Sequence, residues 1–216
     1  MRNANLIKFA YLAGIFGPLF GFSTILASTL LCGAGCGNPI PAPFDDYSAW
    51  ASDGSFSWRS NALSDLGISK VAHIYNSAII ILGVLTLIFY IGFMMVYAES
   101  RLFYLGGILL ILASGSVSLL GVFTEAYATP HLILGFVNFG GGPIGLILVG
   151  LAFIRMKLKP KGYLSLLVGI IGLLICLVPW SAWRVIGVGF AVPEAVASLI
   201  TSVWAVWMSI GLLRIR

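Results

Sequence analysis

The chain has very little charge. Only 9% of its 216 residues are Asp, Glu, Lys or Arg, whereas 60% are hydrophobic. A water-soluble protein of this size needs a surface rich in polar and charged side chains, and this composition does not supply one. The sequence therefore excludes a soluble globular domain and indicates a protein that is mostly surrounded by lipid.

Residues and motifs that mark familiar chemistry are also scarce. The chain has two His and seven acidic residues. It contains no His-Glu-x-x-His zinc motif, no Gly-x-Ser-x-Gly nucleophile turn and no phosphate-binding loop. These absences remove the standard signatures of zinc proteases, serine hydrolases and nucleotide-binding proteins. A site in this chain must therefore be assembled from residues that are distant in the sequence.

Cysteine is limited to three residues. Cys176 lies inside an apolar run, where we interpret it as a small packing residue. Cys32 and Cys36 follow the first apolar run and are separated by three residues, two of which are glycine. We expect this pair to form a disulfide in an oxidising exterior or to remain as free thiols. A metal site here would need more ligands nearby than the sequence offers.

Six long apolar runs account for most of the chain, and each is about as long as the ~20 residues needed to cross a bilayer. The sequence therefore predicts an all-α polytopic membrane protein, a six-helix transmembrane bundle in a single domain over residues 1–216. One long extracytoplasmic loop, residues 33–70, follows the first helix. The helices are expected at about 6–31, 71–97, 102–123, 131–154, 163–181 and 192–213.

The distribution of charge predicts the orientation of the bundle, because Lys and Arg concentrate in cytoplasmic loops. With the N-terminus in the cytoplasm, nine basic residues lie inside: Arg2, Lys8, Arg101, Arg155, Lys157, Lys159, Lys161, Arg214 and Arg216. Three lie outside: Arg59, Lys70 and Arg184. Six of the seven acids lie outside, and only Glu99 lies inside. We therefore expect a multi-pass protein of the cell membrane with cytoplasmic N- and C-termini.

The net charge of +5 does not indicate nucleic-acid binding. The basic residues stand in short loops beside the membrane, above all in Arg155-Met-Lys-Leu-Lys-Pro-Lys161. Attraction to anionic lipid headgroups, worth ~1 kcal/mol per residue, explains this cluster more simply. Membrane lipids are the expected partners, together with other membrane proteins.

The fourth run contains an unusual segment, Asn138-Phe-Gly-Gly-Gly-Pro143, near its middle. Pro143 removes a helical hydrogen bond, and three glycines loosen the turn before it. Two interpretations remain open. The segment is either a kink in a continuous helix or a broken helix that lines a cavity.

Ionisable residues near the outer ends of the helices are the best functional signal, because such groups are costly beside a membrane. Four are candidate catalytic residues: Asp65, His73, Glu125 and His131. Supporting candidates on the same side are Asn61, Ser64, Asn76 and Glu194. We expect them to form an outward-facing polar pocket, covered by the aromatic residues of segment 44–58. The ordinary alternatives are helix capping by Asp65 and a favourable dipole interaction of Glu194 after Pro193.

Three chemistries are compatible with this set. His73, His131 and Asp65 could ligate zinc or a similar divalent ion that activates water. Ser64 with a histidine and an acid could form a nucleophilic hydrolase. Two histidines could hold haem, although their position near the surface makes this less favoured. The sequence does not fix the cofactor.

Two stretches resemble a known family. Asn61-Ala-Leu-Ser-Asp-Leu-Gly67 followed by His73-Ile-Tyr-Asn76 and Gly83 resembles the hallmark of the domain of unknown function 998 family. Gly121-Val-Phe-Thr-Glu125 with Pro130-His131 is similar to its second signature. The resemblance implies a six-helix membrane fold but no reaction. Ser64-Asp65-x-Gly67 is more distantly similar to eukaryotic Frag1/DRAM/Sfk1 proteins, some of which act in lipid-anchor remodelling.

The function expected from these features is action on a lipid or lipid-linked substrate in the outward-facing pocket, by hydrolysis. The alternative is a non-catalytic structural or assembly subunit of a larger membrane complex. The many small residues on the helix faces suit such packing.

Overall fold

Each long apolar run forms a helix, because a chain in lipid must satisfy its backbone hydrogen bonds internally. The computed structural model describes residues 4–37 and 50–213, which contain helices and turns and no strands. Its α-helices are α1 (Ala4–Leu31), α2 (Ala72–Tyr97), α3 (Arg101–Leu120), α4 (Ala128–Phe136), α5 (Gly142–Arg155), α6 (Lys159–Leu177), α7 (Trp180–Val185) and α8 (Ala191–Leu213). In this part of the chain, six helical spans are long and apolar enough to cross a membrane. The predicted all-α, six-span fold class is confirmed.

The fourth span combines α4, a π-helical turn at Val137–Gly141, and α5. The widened turn ends two residues before Pro143, whose missing N–H leaves one carbonyl of the preceding turn without its usual donor. A Cβ built at Gly140 or Gly141 meets no atom within 4 Å, so both glycines border open space. The segment is therefore a local widening within one helical path that continues from α4 into α5.

The six long spans form a closed ring. In sequence order α1 packs against α2, α2 against α3, α3 against α5, and α5 against α6, and α8 closes the ring by packing against both α6 and α1. The connections from α2 to α3 and from α5 to α6 are three residues long, so these helix pairs lie side by side and antiparallel. The ring therefore has two ends. The loop end contains residues 32–37, 50–71, 121–127 and 178–190, and the turn end contains residues 98–100 and 156–158.

Aromatic side chains form the core inside the ring of helices. The side-chain ring of Phe93 lies 5.3 Å from that of Phe103, 5.9 Å from that of Phe153 and 5.6 Å from that of Trp204, measured between centroids. These residues come from four different helices, and inclined ring pairs of this kind stabilise beyond their buried area. The Trp204 indole N–H donates to the Ser165 hydroxyl at 2.9 Å, which satisfies a buried donor. This packing fixes the relative positions of the helices, whose ends hold the residues at the loop end and at the turn end.

Some helix ends differ from the sequence-based expectation. α3 ends at Leu120 rather than near residue 123, and α6 covers Lys159–Leu177 rather than about 163–181. Pro160 is accepted in the first turn of α6, where its missing N–H has no helical partner in any case. Pro179 forces the preceding Val178 into an extended conformation, so α6 stops and the short α7 begins separately.

Candidate functional site

The described part of the long loop is anchored on the end of α1. The Cys32 and Cys36 sulfur atoms lie 2.11 Å apart, at disulfide-bonding distance. The Phe56 N–H donates to the Cys32 carbonyl at 3.0 Å, and the Lys70 N–H donates to the Cys36 carbonyl at 3.1 Å. Phe56 and Trp58 pack edge to face at 5.5 Å. Of the five aromatic residues in the expected cover, Phe44 and Tyr47 lie outside the described residues.

The 3₁₀-helix at Leu63–Ile68 and the turn before it contain two fully buried polar residues. Asn61 and Asp65 are 0% and 1% exposed. One carboxyl oxygen of Asp65, Oδ2, accepts from Asn61 Nδ2 at 2.7 Å and from the Ala62 N–H at 2.9 Å. Asp65 therefore caps its own helix, as a carboxylate that reaches back to the N-cap does.

Three carboxyl groups from separate parts of the chain meet around this helix. This acid cluster consists of Asp65, Glu125 and Glu194, all of which are buried. Ser64 Oγ donates to Glu125, and the Leu63 N–H donates to Glu194 at 2.6 Å. Asp65 and Glu194 both lie within electrostatic range of Glu125. Buried carboxyl groups this close to one another depend on hydrogen-bond donors for their stability.

Hydrogen-bond donors hold the acid cluster in place. Asn61, Ser64 and backbone N–H groups supply these donors. A carboxyl group that is buried without such bonds is costly. Arg59 and Lys70, the basic residues of the described loop segment, are exposed.

Tyr75 is a site residue that sequence analysis missed. It is 9% exposed, near the start of α2, and it lies within electrostatic range of Glu194, Glu125 and Asp65. Its spacing from other apolar residues in the sequence could have identified it. Val71, Tyr75 and Ile79 recur every four residues and are all buried, so they mark the inner face of the helix. His73, two positions before Tyr75, points to the other side.

The two histidines differ in position. His73 is exposed in the first turn of α2. His131 is half-buried, its Nδ1 lies 2.9 Å from the Phe123 carbonyl oxygen, and it is within electrostatic range of Asp65. Within the described residues, no three His, Cys, Asp or Glu side chains form a group that could hold a metal ion. His73, His131 and Asp65 therefore do not form the metal-binding group that the sequence suggested.

Asn76 connects the two signature stretches. Its Nδ2 donates to the Gly67 carbonyl at 3.0 Å. A Cβ built at Gly67 would lie 2.7 Å from Asn76 Oδ1, and one built at Gly121 would lie 2.6 Å from the Asn76 carbonyl oxygen. Both contacts are too short for a side chain. These two glycines therefore allow the 3₁₀-helix and the end of α3 to approach α2 closely.

The chain matches a known protein family over most of its length. The family described as "Protein of unknown function (DUF998)" matches residues 36–211, which contain every member of the acid cluster and its hydrogen-bond donors. The chain belongs to this family. No curated protein and no solved structure matches it. The more distant similarity to Frag1/DRAM/Sfk1 proteins therefore gains no support from these comparisons.

The arrangement is suited to proton transfer. Ser64 is half-buried, whereas the three carboxyl groups of the acid cluster are buried. Ser64 is therefore the most accessible residue among the acid cluster and its side-chain donors. A hydroxyl that donates to a carboxylate can lose its proton to that carboxylate during an attack on a substrate.

Proposed function

We propose that this protein acts on a lipid or lipid-linked substrate at its loop end, by acid–base chemistry in the network of Ser64, Glu125 and Asp65. The observation that carries the proposal is the hydrogen bond from the Ser64 hydroxyl to Glu125, beside the buried carboxyl group of Asp65. Nucleophile and base already stand in contact, as nucleophilic catalysis requires.

The reaction that suits this path is hydrolysis of an ester. Glu125 takes the Ser64 proton while Ser64 Oγ attacks the ester carbonyl, and the departing alkoxide then recovers that proton from Glu125. A water molecule next attacks the acyl-serine with Glu125 again as base, which releases the acid and restores Ser64. Asn61 holds Asp65 in the same cluster.

The position of the network favours a substrate at the membrane surface. Exposed aromatic residues border the loop end, namely Trp58, Phe123 and Tyr127. Such amphipathic rings favour the headgroup level of a bilayer.

We assign the histidines secondary roles in this proposal. His131, near Asp65 and partly open to solvent, moves protons between the network and water. His73 stands at the rim and contacts the substrate headgroup. The charge distribution supports a loop end outside the cell membrane and cytoplasmic termini.

Reconstitution with radiolabelled lipids tests the proposal. Full-length protein in vesicles that contain labelled phospholipid, diacylglycerol and glycolipid should release labelled fatty acid. Ser64→Ala and Glu125→Gln should each lower the rate by about 10²-fold or more. Asp53→Asn and Glu99→Gln alter exposed carboxylates and should retain the wild-type rate. Release that is equal in all five proteins, or absent with every lipid, contradicts the proposal.

A second candidate, a non-catalytic assembly subunit, is favoured by the exterior of the fourth span. Neither α4 nor the π-helical turn contributes a buried residue. A Cβ at Gly115, Gly135, Gly140 or Gly141 would meet nothing within 4 Å. Small residues beside open space admit a further transmembrane helix. Purification from the native membrane in mild detergent should then recover a stoichiometric membrane partner, and a lone chain would count against this candidate.

A further inference from the structure

The opposite end of the bundle presents a surface of another kind. α5 ends at Arg155 and α6 begins at Lys159, so Arg155, Lys157, Lys159 and Lys161 lie within one tight connection, here called the basic turn. The first three side chains are exposed. No residue of the basic turn forms an ion pair with a carboxylate of the described chain, and Glu99, at the same end, is exposed.

Lys161 is held in a fixed position. Its ammonium group donates to the Tyr97 hydroxyl at 2.6 Å and lies 4.8 Å from the centre of the Tyr97 ring. Tyr97 is itself locked by edge-to-face packing on Phe153 at 5.1 Å. A lysine that rests on a buried aromatic ring has lost most of its rotamer freedom, but its charge is not neutralised. The position of this cation is therefore set before any ligand arrives.

Lys157 occupies a backbone position that favours glycine. Its φ is +61°. The Leu158 N–H donates to the Phe153 carbonyl at 2.8 Å, and the Lys157 N–H donates to the Ile154 carbonyl at 3.0 Å. This pair of bonds defines a Schellman motif, in which the left-handed residue is usually glycine because a Cβ is disfavoured there. A lysine at this position adds a positive charge to the surface, but it makes the turn less stable than glycine would.

Aromatic residues mark the same level of the bundle. Tyr104 is 54% exposed and Tyr163 is 58% exposed. Each lies about one helical turn inside the bundle from a cation, Arg101 and Lys159 respectively. Exposed tyrosines that lie one helical turn closer to the bundle centre than a group of cations are typical of the boundary between lipid tails and headgroups. The basic turn therefore stands at headgroup level.

We propose that the basic turn is a binding surface for anionic phospholipid headgroups. Arg155, Lys157 and Lys159 contact the phosphates, and Lys161, held on Tyr97, supplies a fixed inner charge. The occupant is a lipid because the cations lie at headgroup level beside exposed apolar and tyrosine side chains. A phosphodiester with an apolar tail complements both features.

Competition between lipids tests this surface. Full-length protein is purified with equal amounts of phosphatidylglycerol and phosphatidylcholine, and bound lipids are counted by native mass spectrometry. Wild type should retain phosphatidylglycerol preferentially. Lys157→Gly should lower that preference about fivefold, and Arg155→Gln with Lys157→Gly and Lys159→Gln should remove most of it. Arg59→Gln with Lys70→Gln, at the loop end, is the matched control and should retain the preference.

The Lys157→Gly variant keeps the test independent of folding, because glycine suits the left-handed position and should not lower the melting temperature. An unchanged lipid ratio in the basic-turn variants overturns the proposal. So does an equal loss in the control, or a wild type that binds both lipids equally.

Discussion

The hydroxyl group of Ser64 donates a hydrogen bond to the carboxyl group of Glu125, 61 residues further along the chain. This contact joins the 3₁₀-helix of the long loop to the segment that follows α3. It brings the two family signatures together, because one contains Ser64 and the other contains Glu125. The contact is also the start of the proton path on which the proposed chemistry depends.

A double-mutant cycle measures the strength of this contact. Ser64→Ala and Glu125→Ala are compared singly and together by reversible unfolding in mixed micelles. Because the two side chains bond in a partly buried site, we expect a coupling free energy of about 1–3 kcal/mol. Additive effects, within about 0.5 kcal/mol, would show that the contact does not stabilise the loop end.

Removal of the Asp65 carboxyl group should destabilise the protein. In Asp65→Ala the Asn61 amide and the Ala62 N–H lose their acceptor in a site that is almost completely buried. Each unsatisfied buried donor costs about 1–3 kcal/mol, so we expect a loss of about 2–4 kcal/mol in the free energy of unfolding. Asp53→Ala removes an exposed carboxyl of the same loop and serves as the control. Equal unfolding curves for the two variants would contradict the buried-cap interpretation.

A Gly→Ala substitution should have opposite effects on stability at Gly83 and at Gly115. A Cβ at Gly83 on α2 would collide with the backbone of Ser118 on α3, whereas a Cβ at Gly115 would meet nothing within 4 Å. Gly83→Ala should therefore separate the two helices and cost about 1–3 kcal/mol. Gly115→Ala should be neutral or stabilise by about 0.5–1 kcal/mol through helix propensity. Melting temperatures in detergent, measured side by side, check the sign of each effect.

The proposed orientation is tested by cysteine labelling of intact cells. In a Cys176→Ser background, Ser52→Cys should react with an impermeant maleimide from outside, and Lys159→Cys should react only after lysis. Ser52 and Lys159 are both exposed, so accessibility within the protein does not limit either reaction. The reverse pattern would place the acid cluster on the cytoplasmic side and the basic turn outside.

Hydrophobic length predicted the architecture well. The six spans follow from the physics of burying a backbone in lipid, and Gly140, Gly141 and Pro143 marked the position of the π-helical turn. The helix ends were harder to predict, because local hydrogen bonding sets them. Pro160 and Pro179 show the difficulty. The first starts a helix and the second ends one, and only the surrounding backbone distinguishes them.

Sequence reasoning selected candidate residues but gave no geometry for them. It placed Asn61, Ser64, Asp65, Glu125 and Glu194 at one end of the bundle, where the structure shows hydrogen bonds from Asn61 to Asp65, from Ser64 to Glu125 and from the Leu63 N–H to Glu194. Depth gives no information about the direction in which a side chain points. His73 was therefore selected and Tyr75 passed over, although only Tyr75 faces the carboxyl groups. Near a helix start, a shift of two positions reverses the face.

The wide separation of the acid cluster along the chain has a consequence for biosynthesis. The Leu63 N–H is bonded by a carboxylate that lies 131 residues later, on α8. Since a nascent chain emerges from its N-terminus, five of the six spans are made before Glu194 exists. Until then the 3₁₀-helix lacks one of its anchors, and the loop end cannot reach its final form. The last span to be synthesised therefore completes the region in which we place the chemistry, so a chain truncated before α8 has a bundle without a finished site.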